Sequence, residues 1–458
     1  MSRKTLILFA ACTAAAICYL LLATVPFPSA VCWTAAITLF CATLWITEAL
    51  PIPVTAMIAI ATFPSVGVLT PAQVGQSFGS PTVLLVLGGF ILSASMVATG
   101  AHRRVALGMV NLIGGTSSRR IVLGFMCAAA FLSMWISNAA TSLMLLPVVL
   151  AVLERARDPK LAIPLLLGMA YASSIGGLGT PIGTPANLVF IENYAIATGT
   201  QIQFSEWMRY GLPIVFVLLP VCFFWVTRGL SYAKPMDLPE TGTWQTAEKR
   251  VLIVFACAAL AWMTRGEPFG GWSSLVGLPG VTDASIAIFA AVSLFIIPDG
   301  KGGKLLDWEG ASKIPWGILL LLGSGFTIAR AFTESGLSGL LGDALGGLSA
   351  LPVLVMIGGL CLVVTFMTEL TSNTATTTLL MPVLAAAALA AGFDDPIIMM
   401  LPAALTASCA FMLPTATTPN TVAFSAGRFP IRKMASEGLI LNLLGVLVVT
   451  LAAYWLIA

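Results

Sequence analysis

Long apolar runs, separated by short charged or Pro/Gly-rich breaks, dominate the chain and predict membrane-spanning helices. A helix needs about 20 mainly apolar residues to cross a bilayer, and most of the runs are about that long. We predict an all-α polytopic membrane protein with about eleven transmembrane helices, at residues 5–25, 31–49, 52–69, 82–100, 161–198, 208–229, 249–265, 283–298, 314–334, 396–427 and 436–457.

Two further apolar stretches, residues 120–154 and 352–391, are too long for one crossing. Each carries a polar phrase near its middle: residues 137–141 read Ser-Asn-Ala-Ala-Thr, and residues 372–376 read Ser-Asn-Thr-Ala-Thr. We predict that both stretches are re-entrant hairpins, whose tips stop halfway across the membrane and turn back.

Two of the predicted spans are interrupted by a second kind of polar phrase. Residues 183–187 read Gly-Thr-Pro-Ala-Asn, and residues 417–420 read Thr-Thr-Pro-Asn. Proline breaks a helix, and an unpaired backbone group in lipid costs several kcal/mol unless protein, water or a ligand satisfies it. Interrupted helices at matching places in two halves of a chain therefore indicate the binding site of a transporter.

The lysines and arginines support this topology. With a cytoplasmic N-terminus, nineteen of the 22 fall on the cytoplasmic side, and only Arg209, Arg265 and Arg330 fall outside or near an outer helix end. This is the positive-inside asymmetry of membrane proteins. It predicts an extracytoplasmic C-terminus, and the short loops favour a plasma membrane, of the bacterial inner-membrane kind.

The order of spans predicts two inverted repeats. After an N-terminal helix in residues 1–30, residues 31–230 and 249–458 each contain three spans, a hairpin, an interrupted span and a last span. Five crossings is an odd number, so the second repeat lies upside down relative to the first. Residues 231–248 are predicted to form a polar cytoplasmic linker.

Composition agrees with a membrane protein, since 58% of the 458 residues are hydrophobic and 9% are charged, against about 25% charged in a soluble domain. The first run is longer than the apolar core of a signal peptide, and no Ala-x-Ala cleavage site follows, so we expect it to be retained. The nine cysteines are scattered without CxxC spacing, which implies neither a metal site nor a disulfide framework.

The polar phrases have a definite chemistry. Hydroxyl, amide and free carbonyl oxygens are hard ligands that suit Na⁺, while helix N-termini at hairpin tips favour the oxygens of an anion. No Lys, Arg or His lies in or beside the four phrases, so bound cations are the natural compensation for a bound anion. Polar clusters also join helices by hydrogen bonds, but four duplicated clusters flanked by prolines favour a site.

The same phrases, together with Trp-Ile-Thr-Glu-Ala-Leu-Pro at residues 45–51, resemble the divalent anion/Na⁺ symporter family over nearly the whole chain. Members of that family are sodium-coupled di- and tricarboxylate transporters, with sulfate carriers as a branch. The resemblance implies a homodimer in which each protomer has a scaffold and a mobile, elevator-type transport domain.

The resemblance also implies site residues. The first sodium site would use Ser133, Ser137, Asn138 and the Gly183 carbonyl, and the second would use Thr368, Thr371, Asn373 and Thr417. The substrate carboxylates would meet Ser137, Asn138, Thr184, Ser372, Asn373, Thr374, Thr418 and Pro419. The sequence departs from the family at Ala139, which lacks the usual hydroxyl. One hydrogen bond to a charged group is worth about 1.5–3 kcal/mol, so this change bears on substrate identity.

We therefore expect Na⁺-coupled symport of a C4-dicarboxylate (succinate, fumarate or malate), with no organic cofactor and no nucleic-acid partner. A Na⁺-independent exchanger and a Na⁺/sulfate symporter remain alternatives. An intramembrane hydrolase is disfavoured, because the one histidine, His102, is expected in a charged surface cluster on a loop and no span carries two aspartates. Glu369 could titrate in a proton antiporter or brace its hairpin, and Glu48 is expected to be structural.

Overall fold

The computed structural model describes residues 3–25, 27–114, 117–156, 159–230, 243–266, 270–345 and 351–457. Within these ranges the chain is α-helical, and the only extended pairing is an isolated bridge between Pro298 and Lys304. Ten of the described helical segments are long and apolar enough to cross a membrane. The predicted class, an all-α polytopic membrane protein, is confirmed.

Eleven helices precede residue 231. They are α1 (Arg3–Ala23), α2 (Ser29–Thr47), α3 (Ile52–Ser65), α4 (Pro71–Phe78), α5 (Pro81–Thr99), α6 (Ala101–Gly114), α7 (Ser118–Ser133), α8 (Asn138–Ala156), α9 (Ala162–Gly176), α10 (Pro185–Thr198) and α11 (Phe204–Thr227). Short 3₁₀ turns cover Pro159–Leu161 and Gly177–Gly179.

Eleven more follow residue 242. They are α12 (Thr246–Met263), α13 (Gly271–Leu275), α14 (Asp283–Ile296), α15 (Trp308–Ala311), α16 (Trp316–Ser335), α17 (Leu337–Leu345), α18 (Val353–Leu370), α19 (Asn373–Ala390), α20 (Ile397–Ala407), α21 (Thr418–Ser425) and α22 (Ile431–Ile457). Residues 231–242 of the predicted linker lie outside the described residues, and α12 begins at Thr246, before the predicted end of the linker.

Both predicted hairpins coincide with helix pairs that meet at the polar phrases. The stretch 120–154 holds α7 and α8, joined by residues 134–137, and the stretch 352–391 holds α18 and α19, joined by Thr371 and Ser372. The interrupted spans are broken where the prolines predict: α9 and α10 are separated by an unwound segment before Pro185, and α20 and α21 by another before Thr418.

Two amphipathic helices, α6 and α17, are not predicted by the sequence, because each is too short to span a membrane and lies between longer elements.

The predicted loop position of His102 is wrong, since His102 lies in α6, where its Nδ1 is 2.7 Å from the Met96 carbonyl oxygen. Burial lowers the pKa of the imidazole. The neighbouring Arg104 is buried and pairs with Glu248 of α12 at 2.7 Å, so this group ties two elements together.

The helices of the two halves pack in a crossed pattern. α5 lies against α14 and α16 lies against α3, with Gly88 of α5 allowing close contact with Ala287. The second helix of each hairpin contacts the broken span of the other half: α8 packs on α21, and α19 packs on α10. The polar tips and the unwound segments are thereby brought to one place.

Candidate functional site

A cavity of about 490 Å³ lies where the two hairpin tips and the two unwound segments meet. All eight predicted substrate residues line it, as do five of the predicted sodium ligands, Ser137, Asn138, Gly183, Asn373 and Thr417. The opposite wall comes from the α2–α3 turn and from the start of α16, including Glu48, Pro53 and Ile318. Residues from both halves of the chain therefore share one chamber.

The first residues of four helices lie on the wall of this chamber. α8, α10, α19 and α21 begin at Asn138, Pro185, Asn373 and Thr418, all of which lie on the cavity wall. Their free amides and positive dipole ends favour an anion. The partner helices α7, α9, α18 and α20 end before these four starts in the sequence, and the carbonyl oxygens of a helix C-terminus favour a cation.

Oxygen atoms converge at the first hairpin tip. The terminal amide of Asn138, beside the buried Ser133, lies 2.5 Å from the Ser133 hydroxyl, 3.2 Å from the Gly183 carbonyl oxygen and 3.3 Å from the Ser173 carbonyl oxygen. The amide has two chemically sensible orientations. Its nitrogen can donate its two hydrogens among these oxygens, or its oxygen can accept from the Ser133 hydroxyl and share a cation with the two carbonyl oxygens.

The 3.2 and 3.3 Å spacings from the Asn138 amide to the two carbonyl oxygens suit a hard cation, whereas the 2.5 Å contact with Ser133 is a hydrogen bond. Ca²⁺, which prefers oxygen ligands as Na⁺ does, binds them at about 2.3–2.6 Å, so two ligands of one ion lie about 3–4 Å apart. Gly177 and Gly183 make this convergence possible, because a Cβ on Gly177 would lie 2.6 Å from the Asn138 amide and one on Gly183 would lie 2.5 Å from the Gly177 carbonyl oxygen.

The second tip repeats part of this arrangement. The Thr368 hydroxyl lies 2.8 Å from Asn373 Oδ1 and 2.9 Å from the Ala407 carbonyl oxygen. Thr417 caps α21 by accepting a hydrogen bond from the Asn420 amide at 3.3 Å. The Thr371 hydroxyl instead contacts Thr376 and donates to the Met367 carbonyl oxygen at 3.0 Å, so this predicted ligand does not face the cavity with its side chain.

Two asparagines that the sequence analysis did not assign hold the unwound segments in shape. Asn187, at the third residue of α10, donates to the carbonyl oxygens of Gly177 and Thr180 at 2.9 and 2.8 Å. Asn420, at the third residue of α21, donates to those of Ala410 and Leu413, both at 3.0 Å. In each half the acceptors lie ten and seven residues before the asparagine, so the two clamps are equivalent.

Glu369 braces the second half and is buried. Its two carboxylate oxygens accept hydrogen bonds from the backbone amides of Met412 and Leu413, at 2.8 and 2.9 Å, and from Asn442 Nδ2 at 2.8 Å. Asn442 in turn accepts from the Phe411 amide at 3.1 Å. Through these contacts the carboxylate holds the unwound chain between α20 and α21, which is the bracing position that the sequence offered as one alternative.

Glu48 was expected to be structural, but it lines the cavity and is the only ionisable side chain on the described wall. It ends α2 with a φ of 48°, and no other non-glycine residue in the described ranges has a positive φ. Such a conformation costs about 1–3 kcal/mol. A sequence pattern reveals neither the conformation nor the direction of this side chain.

Comparison with known proteins identifies the family. A model described as that of citrate transporters matches residues 42–407. The chain belongs to this citrate transporter family. Its relatives include a protein named sodium-dependent dicarboxylate transporter SdcS from Staphylococcus saprophyticus, which is 39% identical over 448 residues, covering 92% of this chain and 85% of the relative. The SdcS of Staphylococcus aureus strain MRSA252 is 38% identical over 446 residues, with the same coverage.

These matches confirm the resemblance to divalent anion/Na⁺ symporters and make the chain an integral membrane protein of a transporter family rather than an enzyme. Two solved structures share its fold. The YdaH transporter of Alcanivorax borkumensis has a TM-score of 0.60 at 18% identity, covering 83% of this chain and 85% of that one. MtrF of Neisseria gonorrhoeae has a TM-score of 0.59 at 14% identity, covering 83% and 82%.

The asparagine clamps can be tested by Asn420→Ala, which leaves the carbonyl oxygens of Ala410 and Leu413 without their donor. A buried unsatisfied group costs about 1–3 kcal/mol, so we expect the variant to unfold at a clearly lower temperature in detergent. Asn193→Ala is the matched control, because Asn193 Nδ2 donates only to the Val189 carbonyl of its own helix. Equal thermal shifts for the two variants would contradict the assignment.

Proposed function

We propose that the protein is a secondary active symporter that carries a C4-dicarboxylate, such as succinate, fumarate or malate, into the cell together with Na⁺. The observation that carries this proposal is the cavity wall, which offers hydroxyls, amides and helix ends but no Lys, Arg or His among its described residues. The relatives at 38–39% identity, named sodium-dependent dicarboxylate transporters, support the same substrate and ion.

Magnitudes favour sodium as the missing positive charge. Desolvating an ion costs several kcal/mol per charge even after the protein relaxes, and the substrate carries two charges. A helix N-terminus contributes about 0.3–1 kcal/mol, so four of them contribute about 1–4 kcal/mol. Dipoles alone leave the dianion undercompensated. Two Na⁺ ions, one at each hairpin tip, neutralise it.

The proposed roles follow the chamber. The first Na⁺ is bound by Ser133, Ser137, Asn138 and the Gly183 carbonyl. The second is bound by Asn373, Thr368 and Thr417. The sequence predicts Thr371 as a further ligand of the second ion, and that role stays a prediction. The substrate lies between the tips, on Ser137, Asn138, Thr184, Ser372, Asn373, Thr374, Thr418 and Pro419. Helix α8 begins at Asn138 and α19 at Asn373, so each asparagine can present its side chain to a cation and its backbone amide to the anion.

Sodium dependence is tested by uptake of labelled succinate into proteoliposomes with an inward Na⁺ gradient. We expect accumulation with Na⁺ and none when K⁺ or choline replaces it, without internal counter-substrate. Uptake that ignores sodium and needs internal dicarboxylate would establish the exchanger instead.

Substrate identity is tested in the same assay by competition. Ala139 lines the cavity without offering a hydroxyl, which keeps sulfate as the second candidate. We expect unlabelled succinate to compete far better than sulfate, and Ala139→Thr to change substrate affinity by about tenfold, the effect of one hydrogen bond to a charge. Better competition by sulfate would reassign the substrate.

We further propose the inverted-repeat architecture, in which residues 31–230 and 249–458 are related by the crossed packing of α5 with α14 and α16 with α3. The N-terminus is then cytoplasmic and the C-terminus extracytoplasmic, in a bacterial inner membrane.

A homodimer is the proposed assembly, and its test is the mass of the detergent-solubilised particle. No organic cofactor has a role in this mechanism.

The proposed transport motion is of the elevator type. The hairpins and broken helices, together with α11 and α22, would move as one body against a scaffold of α2, α3, α5, α12, α14 and α16. Two hydrogen bonds join the two bodies: the Phe204 amide of α11 donates to the Asp283 carboxylate of α14 at 3.0 Å, and the Thr82 hydroxyl of α5 donates to the Glu192 carboxylate of α10. A vertical displacement of α10 must break the Thr82–Glu192 hydrogen bond.

Cross-linking tests the motion. In a cysteine-free background, a short thiol cross-linker between Thr82→Cys and Glu192→Cys should stop uptake, and reduction should restore it. The control pair, Tyr194→Cys with Asp395→Cys, replaces a 3.0 Å hydrogen bond within the moving body, and its cross-link should leave uptake intact. Unimpaired transport by the cross-linked Thr82/Glu192 pair would rule out this displacement.

Glu48 is proposed to weaken binding of the dianion in the chamber. Its carboxylate repels a second negative charge, which promotes release of the substrate. We expect Glu48→Gln to lower the KM of the dianion about three- to tenfold at low salt, and less at high salt because charges are screened. Glu48→Gly is the control for backbone strain, and a KM change independent of salt would contradict the electrostatic role.

A further inference from the structure

A second cavity, of about 270 Å³, lies away from the transport chamber at the ends of three helices. Its wall combines Lys160 and the first turns of α9, the end of α11 with Arg228, and the start of α22 with Lys433 and Glu437. Positively charged residues at helix ends mark the level of the membrane surface, and the charge distribution of the chain places this end on the cytoplasmic side.

The polar part of this cavity is mainly basic. Lys160, Arg228 and Lys433 line it together with one carboxylate, Glu437. Glu437 is 7% exposed and lies 2.7 Å from both Arg228 Nη2 and Lys433 Nζ. A buried carboxylate thus holds two partly exposed cations at fixed positions.

Arg228 is held by further contacts. Its guanidinium lies 3.8 Å from the centre of the Trp225 ring and donates from Nη1 to the Trp225 carbonyl oxygen at 2.6 Å. A planar cation stacked on an aromatic ring loses little conformational freedom when it binds phosphate oxygens. The arginine is therefore already ordered before any ligand arrives.

The rest of the wall is aliphatic, formed by Ile163, Pro164, Leu167 and Val226. A small inorganic anion would gain nothing from these side chains. A ligand that fills the cavity carries a negative headgroup on an apolar body, and basic pockets between helices at the cytoplasmic membrane surface bind acidic lipid headgroups.

We propose that this cavity is a binding site for an acidic glycerophospholipid, with the phosphate on Arg228, Lys433 and Lys160 and an acyl chain along Ile163 and Leu167. α9 carries Ser173 and leads into the unwound segment of the first half, and α22 carries Asn442, which holds Phe411 of the second. A lipid bound here ties together helices that support both hairpin tips.

The site is tested by native mass spectrometry of the full chain, titrated with phosphatidylglycerol or with phosphatidylcholine of the same acyl chains. We expect at least one phosphatidylglycerol to bind about tenfold more tightly than phosphatidylcholine, with neither inorganic phosphate nor glycerol 3-phosphate displacing it. Lys433→Gln should reduce that preference about fivefold, and Lys160→Gln provides a second variant should the first fail to fold.

Lys313→Gln is the matched control. Lys313 pairs with Glu309 at the same four-residue spacing as Lys433 with Glu437, but both members of the pair are exposed, Lys313 at 69% and Glu309 at 81%. The control should keep the full preference for phosphatidylglycerol. Equal binding of the two lipids, unchanged preference in Lys433→Gln and Lys160→Gln, or displacement by free phosphate would overturn the proposal.

As a positional readout, phosphatidylglycerol with brominated acyl chains should quench fluorescence that is lost in Trp225→Phe, because the indole lies beneath Arg228. Absence of that quenching component would also overturn the placement. Neither measurement depends on sodium or on transport, so the lipid site and the proposed symport can fail separately.

Discussion

The constraint that organises this structure is the presence of polar backbone in a membrane. Where α9, α20 and the two hairpins stop inside the bilayer, their carbonyls and amides lose helical partners, and each must find another. The chain meets this requirement with short side chains at the tips and with four helices that begin on the wall of one chamber. The groups that would otherwise destabilise the fold are the same groups that can hold cations and an anion.

In both halves side chains hydrogen-bond to the unwound backbone, and one of these interactions is common to the two halves while the other differs. The Asn187 and Asn420 clamps use identical spacing to hold the unwound segments. Beyond them, the second half adds the Glu369–Asn442 brace, whereas the first half uses the Trp207 indole, which donates to the Leu178 carbonyl oxygen at 2.9 Å. Because the carboxylate brace belongs to the second half, the two proposed sodium sites differ in their surroundings.

Much of the fold followed from run lengths and proline positions, because hydrophobic length and helix breaking are local properties of the sequence. The asparagine clamps could not be predicted in this way, because an alignment of the two halves by sequence pairs Pro185 with Pro419. The structure instead matches the asparagines: Pro185 is the first residue of α10, while Pro419 is the second of α21. Helices α6 and α17 are short and amphipathic, so the length of an apolar run does not reveal them. The left-handed backbone conformation of Glu48 could not be predicted either, because no sequence pattern marks it in a non-glycine residue.

The central claim is that bound cations supply the positive charge that the chamber lacks. It is tested most directly by calorimetric titration of the purified protein with succinate at several Na⁺ concentrations, with choline holding the ionic strength constant. The account predicts that succinate affinity rises at least in proportion to Na⁺ concentration, and that succinate tightens Na⁺ binding by the same factor, as linkage requires. Equal succinate affinity in choline and in Na⁺ would contradict it.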